Sequence, residues 1–218
     1  KVKSAVSQGI REIWLTSQDS GAYGMDINTN LAELLNECSK IPGKFMIRVG
    51  MMNPNHVLPI LYELIESFKN RKVFNFLHLP VQSGDNEILK KMNRRYTVEE
   101  FKKAVEAFRK EIPDLTLSTD IICGFPGEES EAFENTLSLV KEVKPDIINI
   151  SRFFPRPKTP AEKMEQLDVK LIKSRSRRLS EIARSISLER NKRWLGWEGE
   201  ILIDEKGRSF SWIGGNFA

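Results

Sequence analysis

The sequence predicts an α/β fold, a partial (βα) barrel that lacks its first strand, followed by a long helix and the start of a small all-β module. Three observations carry that prediction. Five β-like runs alternate with helical stretches of about ten or more residues, the pattern of parallel βαβ units. The polar members of successive runs fall in step: Glu12, Thr16 and Gln18; Arg48; His78 and Gln82; Thr116, Ser118 and Asp120; Asn149 and Ser151. One side of the sheet is thereby lined for a polar ligand and the other is left for helices, which favours a barrel lumen over an open sheet. Third, residues 115–129, LTLSTDIICGFPGEE, pass from a period-2 run through two glycines into an acidic helix start. That is a β-to-α turn, and ligands of α/β folds sit at such carboxyl ends of strands.

In chain order, residues 1–10 read as the tail of a helix ended by Gly9, with no strand before it, so a barrel strand is expected upstream of Lys1. A strand follows at 12–17, then the polar loop SQDSGAYGMD, a short helix at 30–39, and a strand at 44–50 after the Pro42-Gly43 break. Next come a helix at 54–69, a strand at 73–81, the loop QSGDNEILKKMNRRYT at 82–97, and a helix at 98–110. The strand at 115–123 places Thr116, Ser118 and Asp120 on one face and Leu115, Leu117, Thr119 and Ile121 on the other. A helix at 129–142, a strand at 146–153 and the loop FPRPKTPAEKM complete the alternation. Residues 168–194 form an amphipathic helix on Ile172, Leu179, Ile182, Ala183 and Ile186. Short runs at 197–203 and 209–213, joined by DEKGR, predict a hairpin. The domain division expected is therefore 1–194 and 195–218, the second too short to bury a core of its own.

Composition narrows the function classes. The 218 residues are 40% hydrophobic and 29% charged, enough for one substantial domain. No apolar run approaches the roughly 20 residues of a membrane span, and a soluble, cytoplasmic protein without a membrane partner is expected. Two cysteines, Cys38 and Cys123, fit a reducing compartment and cannot alone hold a four-cysteine zinc site or an iron–sulfur cluster. Net charge is +4, but residues 170–193 hold nine Lys or Arg against two Glu, which points that helix at an anionic partner.

Several ordered motifs then converge on one family. FLHLPVQSGDNEILKKMNRRYT, STDIICGFPGEES and FFPRPKTPAEKM, with EIWLTSQDSGAYGMD and RVGMMNP, resemble the radical S-adenosylmethionine (SAM) methylthiotransferases, most closely the archaeal and eukaryotic branch that acts on threonylcarbamoyladenosine in tRNA. The resemblance spans residues 12–163, and the terminal β module resembles the start of a TRAM domain. It implies a radical SAM barrel, SAM as cofactor, two [4Fe–4S] clusters in the full-length protein, an electron donor, and tRNA as substrate. It further implies that a methylthio group is placed on C2 of N6-threonylcarbamoyladenosine at position 37, in a lumen that keeps water from a reactive radical. The family's CxxxCxxC loop and its N-terminal cluster domain are not found in this sequence, so these 218 residues are expected to bind neither cluster and to be inactive alone. Two other readings share the same residues: a different radical SAM reaction, or a non-catalytic RNA-binding fragment.

Candidate residues follow from the strand ends, each with a plainer alternative. Gln18 and Asp19 fall where the superfamily contacts the SAM amino group, or are an ordinary polar loop. Gln82 and Ser83 offer neutral donors and acceptors to ribose hydroxyls, or are turn residues before Gly84. Asp120 faces the lumen and needs a donor, whether a ligand or Arg48. Glu128 sits one place late against the superfamily's GxIxGxxE turn, which puts its side-chain contact in question. Arg95, counted with the cofactor site, and Arg94, counted with the substrate site, suit a carboxylate or phosphate. Arg48, Arg152 and Arg156 complete the substrate set, while no metal ligands or catalytic residues are assigned within the chain. His78 and Cys123 read as core. Trp194, Trp197 and Trp212 could stack bases or fill the β module.

Overall fold

The computed structural model describes residues 1–218, the side chain of Asp204 excepted. In chain order the elements are α1 (Val2–Ser7), β1 (Glu12–Leu15), α2 (Leu31–Ser39), β2 (Met46–Val49), α3 (Pro54–Val57), α4 (Leu61–Phe68), β3 (Phe76–His78), α5 (Asn86–Lys91), α6 (Val98–Glu111), β4 (Thr116–Cys123), α7 (Ser130–Val143), β5 (Ile147–Arg152), α8 (Val169–Asn191), β6 (Leu202–Lys206) and β7 (Trp212–Gly215). Strands and helices alternate through β5, as the pattern predicts. The chain divides into two compact units. One comprises Lys1–His78, Glu106–Thr116 and Trp194–Ala218, and the other Leu79–Val105 and Leu117–Arg193.

In the first unit β1 and β2 pair in parallel, Glu12 opposite Met46 and Leu15 opposite Val49. Leu31 and Leu35 of α2, Leu64 and Phe68 of α4, Ile47, Met52 and Phe108 are fully or nearly fully buried there, with Phe68 and Phe108 edge to face at 5.4 Å. Asn30 caps α2 by accepting from Glu33 N at 3.0 Å. The single helix expected over 54–69 is interrupted by a 3₁₀ turn, Leu58–Ile60, because Pro59 brings no N–H to the ladder. The terminal hairpin also differs from the expected frame: β6 and β7 pair antiparallel with Leu202 opposite Gly215 and Lys206 opposite Trp212. Most of DEKGR is therefore strand, and the reversal comes at Gly207–Ser211, where Gly207 N donates to Ser211 O.

The second unit is built on β4. On one side β5 pairs with it in parallel from Ser118 opposite Ile147 to Cys123 opposite Arg152. On the other runs the segment 79–82, which is not a regular strand, so the strand expected over 73–81 shortens to Phe76–His78. Pro80 is the reason: it has no N–H to give. The buried hydroxyl of Thr119 fills the gap, donating to Leu79 O at 2.9 Å and accepting from Val81 N at 3.0 Å. The 82–97 stretch is not all loop either. Asp85 accepts from Ile88 N at 3.0 Å and caps the short helix α5. Thr97 and Glu100 then form a reciprocal capping box at the start of α6. Along β4 the expected faces appear, Leu117, Thr119, Ile121 and Cys123 being buried and Thr116, Asp120 and Ile122 half-buried. Ser118 is the exception on the polar face, buried.

Candidate functional site

Each unit carries one polar constellation at a strand end. In the first, the loop after β1 is folded around Asp19. Its Oδ1 accepts from Gly21 N at 3.0 Å and Asn53 N at 3.1 Å, while Oδ2 meets His56 Nδ1 at 2.8 Å. Both carboxylate oxygens are thus engaged in tying the loop to the start of α3. Beside them the buried Oδ1 of Asn53 has no hydrogen-bond partner among the described residues. Gln18 is exposed. On the neighbouring strand Arg48 lies with its guanidinium 5.0 Å above the ring of Trp14 and 3.9 Å above that of Phe76. Burial lowers its pKa, with Glu12 pulling the other way.

In the second unit Gln82 holds a left-handed backbone, φ 71°, uncommon for a residue with a side chain. Its N–H donates to Asp120 O at 2.8 Å and its carbonyl accepts from Ile122 N at 3.0 Å, so both backbone groups stay bound to β4. Asp120 accepts from Asn149 Nδ2 at 2.8 Å across the parallel pair. Tyr96 is buried and donates to Val81 O at 3.1 Å. Its phenol is pushed up to about 12, chiefly by burial, with the Arg94 charge lowering it and the Asp120 charge raising it. Arg94 and Asp120 each act electrostatically on Tyr96. The buried Nε of Arg94 has no hydrogen-bond partner among the described residues, leaving a donor for an incoming oxygen.

The turn that follows β4 is fixed from within. Gly124 sits at φ +81°, and a Cβ there would fall 2.4 Å from Ile172 Cγ1, so only glycine lets α8 approach. Phe125 packs edge to face on Phe153 at 5.0 Å, over Ile88 and Ala132. Glu128 bends back into its own turn, accepting from Gly124 N at 3.1 Å and from Arg175 Nη1 at 2.7 Å. Burial raises its pKa, and the Arg175 guanidinium works in the opposite sense.

The sequence profile of the radical SAM superfamily matches residues 1–140. The chain belongs to the radical SAM superfamily. It is 56% identical over 207 residues to a probable threonylcarbamoyladenosine tRNA methylthiotransferase of Pyrococcus horikoshii, covering 95% of this chain and 49% of that protein. It is 42% identical to the human threonylcarbamoyladenosine tRNA methylthiotransferase, covering 94% of this chain and 35% of that protein. The chain spans about half the length, or less, of these relatives. Coproporphyrinogen III oxidase from Escherichia coli shares the fold, with a TM-score of 0.54 and 21% identity over 72% of this chain and 36% of that one.

Membership of the superfamily implies SAM and a [4Fe–4S] cluster. Cys38 and Cys123 do not fit a cluster: both are buried, and burial raises both thiols, Cys123 to about 12. No group of three or more His, Cys, Asp or Glu is placed to hold a metal among the described residues. SAM is a better match to what is present, since the orphaned donor of Arg94 in the second unit suits a carboxylate oxygen.

The predicted site residues separate into three kinds. Asp120 and Gln82 come together at β4, Arg94 acts on the nearby Tyr96, and Arg48 stands half-buried on β2. Ser83 and Asp19 are committed within the protein; Ser83 is 1% exposed, its hydroxyl accepting from Asp85 N at 3.2 Å and lying 3.5 Å from Thr136 Oγ1. Gln18, Arg95, Arg152 and Arg156 are exposed. Sequence reasoning missed Asn53, His56 and Tyr96. The MMNPN and RRYT stretches around them were legible as strand-end loops, but nothing in their spacing announced an orphaned amide or a buried phenol. Trp194 and Trp197 form an aromatic cluster with Phe217, whereas Trp212 is 61% exposed. No helix is long and apolar enough to cross a membrane among the described residues.

Proposed function

We propose that this chain is part of a tRNA-modifying enzyme that adds a methylthio group to C2 of N6-threonylcarbamoyladenosine at position 37. The observation that carries the reading is that likeness to relatives of that name extends over nearly the whole chain and takes in every strand-end motif. SAM, bound with a [4Fe–4S] cluster whose ligands lie outside these residues, supplies the radical chemistry. The full-length protein carries two such clusters and draws on an electron donor, and it works in the cytoplasm.

This chain's own part is to bind, orient and exclude water. Gln82, Asp120 and Asn149 present neutral and acidic groups to sugar hydroxyls and the amino group of SAM, and Arg94 presents its orphaned donor to a carboxylate oxygen. In the first unit Arg48, held over two aromatic rings, offers a permanent positive charge to an anionic group of the substrate. The exposed Arg152 and Arg156 serve the nucleic-acid substrate, and Arg95 stays with the cofactor side.

The test is to prepare the full-length protein anaerobically, reconstitute its clusters, and follow tRNA nucleosides by mass spectrometry with SAM and reductant present. A methylthio mass gain on threonylcarbamoyladenosine is the expected result. SAM cleavage without that product would overturn the substrate, and tRNA binding with no SAM cleavage would favour an RNA-binding role alone.

A further inference from the structure

The nine cations of residues 170–193 do not form one population. Arg175 is buried and bonds Glu128, Arg178 bonds both carboxylate oxygens of Glu134, and Arg190 and Arg193 reach Asp146 Oδ1 at 2.9 and 3.1 Å. These four brace α8 within its own unit. The remaining five, Lys170, Lys173, Arg177, Arg184 and Lys192, are exposed and have no ion-pair partner among the described residues. At 100° per residue they fall within an arc of roughly 100°, Lys192 being the residue that caps the C-terminus of α8, opposite the buried Ile172, Leu179 and Ile186. They run along about 33 Å of helix axis.

A merely solvated face has no need of that arrangement. Like charges at i, i+3 and i+4, as in Lys170, Lys173 and Arg177, repel and weaken the helix, and mixed signs are the stable choice. Glu181 is the one carboxylate on this face, Glu189 being paired with Lys144. The braced inner face also holds the outer cations on a fixed rail, so little order is lost when they meet a partner. A lipid surface is the poorer fit, because an interfacial helix needs a continuous apolar face, and here that face is buried in the protein.

We propose that the outer face of α8 is a phosphate-tracking surface, which lies along the sugar-phosphate backbone of the RNA substrate and contributes affinity without reading bases. This rests on the tRNA reading above. It assigns substrate contact to five particular side chains and withholds it from the other four cations of the same basic stretch.

The experiment measures affinity for an unmodified tRNA transcript between about 50 and 200 mM salt, using the full-length protein. One variant combines Lys170→Gln, Lys173→Gln, Arg177→Gln and Arg184→Gln. A control removes the same charge from exposed lysines elsewhere, Lys3, Lys103, Lys110 and Lys141. The first is expected to flatten the slope of log K against log salt by about 3 and to weaken binding tenfold or more near ~0.1 M salt. The control should stay within about twofold, the size of a long-range, screened effect. Glu181→Lys adds a sixth cation to the face and is expected to tighten binding and steepen the slope by about one, a gain that misfolding cannot mimic. A stripe variant that tracks the control, with Glu181→Lys neutral, would overturn the proposal while leaving the tRNA reading intact. Absence of RNA binding by the unaltered protein would overturn both. Loss of binding to vesicles containing anionic lipid, with RNA binding unchanged, would assign the face to a membrane instead.

Discussion

The loop after β1 and the turn after β4 solve one problem with different chemistry. Each follows a parallel strand, and each folds a carboxylate back onto backbone amides of its own segment, Asp19 onto Gly21 and Glu128 onto Gly124. They differ in what completes the charge. Asp19 meets an imidazole with both side chains a fifth to a quarter exposed, at 21% and 28%. Glu128 meets a guanidinium with both almost sealed, at 2% and 6%. Water can replace His56 and cannot replace Arg175. The first loop is therefore adjustable, and it borders the orphaned amide of Asn53. The second is a rigid joint between β4 and α8.

That contrast can be broken most forcefully at Arg175. Arg175→Met leaves a buried carboxylate without its counter-charge, and a loss of about 3–5 kcal/mol is expected in denaturant unfolding. The double variant Glu128→Leu/Arg175→Met should recover much of it, and failure to recover would mean that the pair is not the origin of the cost. Gly124→Ala attacks the same joint sterically, combining positive φ with the approach of Ile172, and about 2 kcal/mol or more should be lost. An unchanged midpoint would show that α8 yields at that point.

Tyr96 offers a pH readout on the same unit. Its folded pKa, about 12, lies above the ordinary 10.0, so the folded protein keeps a proton that the unfolded chain releases. The contribution is whole below pH 10 and is lost as pH rises toward 12. Relative to Tyr96→Phe, the native protein should lose about 1.4 kcal/mol by pH 11. Parallel stability curves for the two would remove burial as the cause. The smallest effect is expected at the first loop, where His56→Gln should cost only about 0.5–1 kcal/mol because solvent screens the pair and Asp19 keeps two amide donors. A loss as large as that at Arg175 would erase the distinction between the two regions.

Much of the fold was open to sequence reasoning because it rests on local periodicity. The alternation through β5, the two faces of β4 and the apolar stripe of α8 need only the spacing of side chains along one element. The boundaries that moved did so for reasons of hydrogen-bond supply. Pro59 and Pro80 withhold an N–H, and Asp85 provides a cap that turns six residues of loop into α5. Of the candidate site, Asp120 and Gln82 were visible as strand-end polar residues, whereas the sealing of Ser83 under Thr136 depends on α7, some fifty residues away.

The basic stretch of α8 marks the dividing line most clearly. By itself the sequence determined that nine cations gather there, because composition is additive along a chain. Only the tertiary structure decided that four are spent on Glu128, Glu134 and Asp146 and that five are left facing outward, because ion pairing is set by which distant carboxylates the fold brings within about 3 Å.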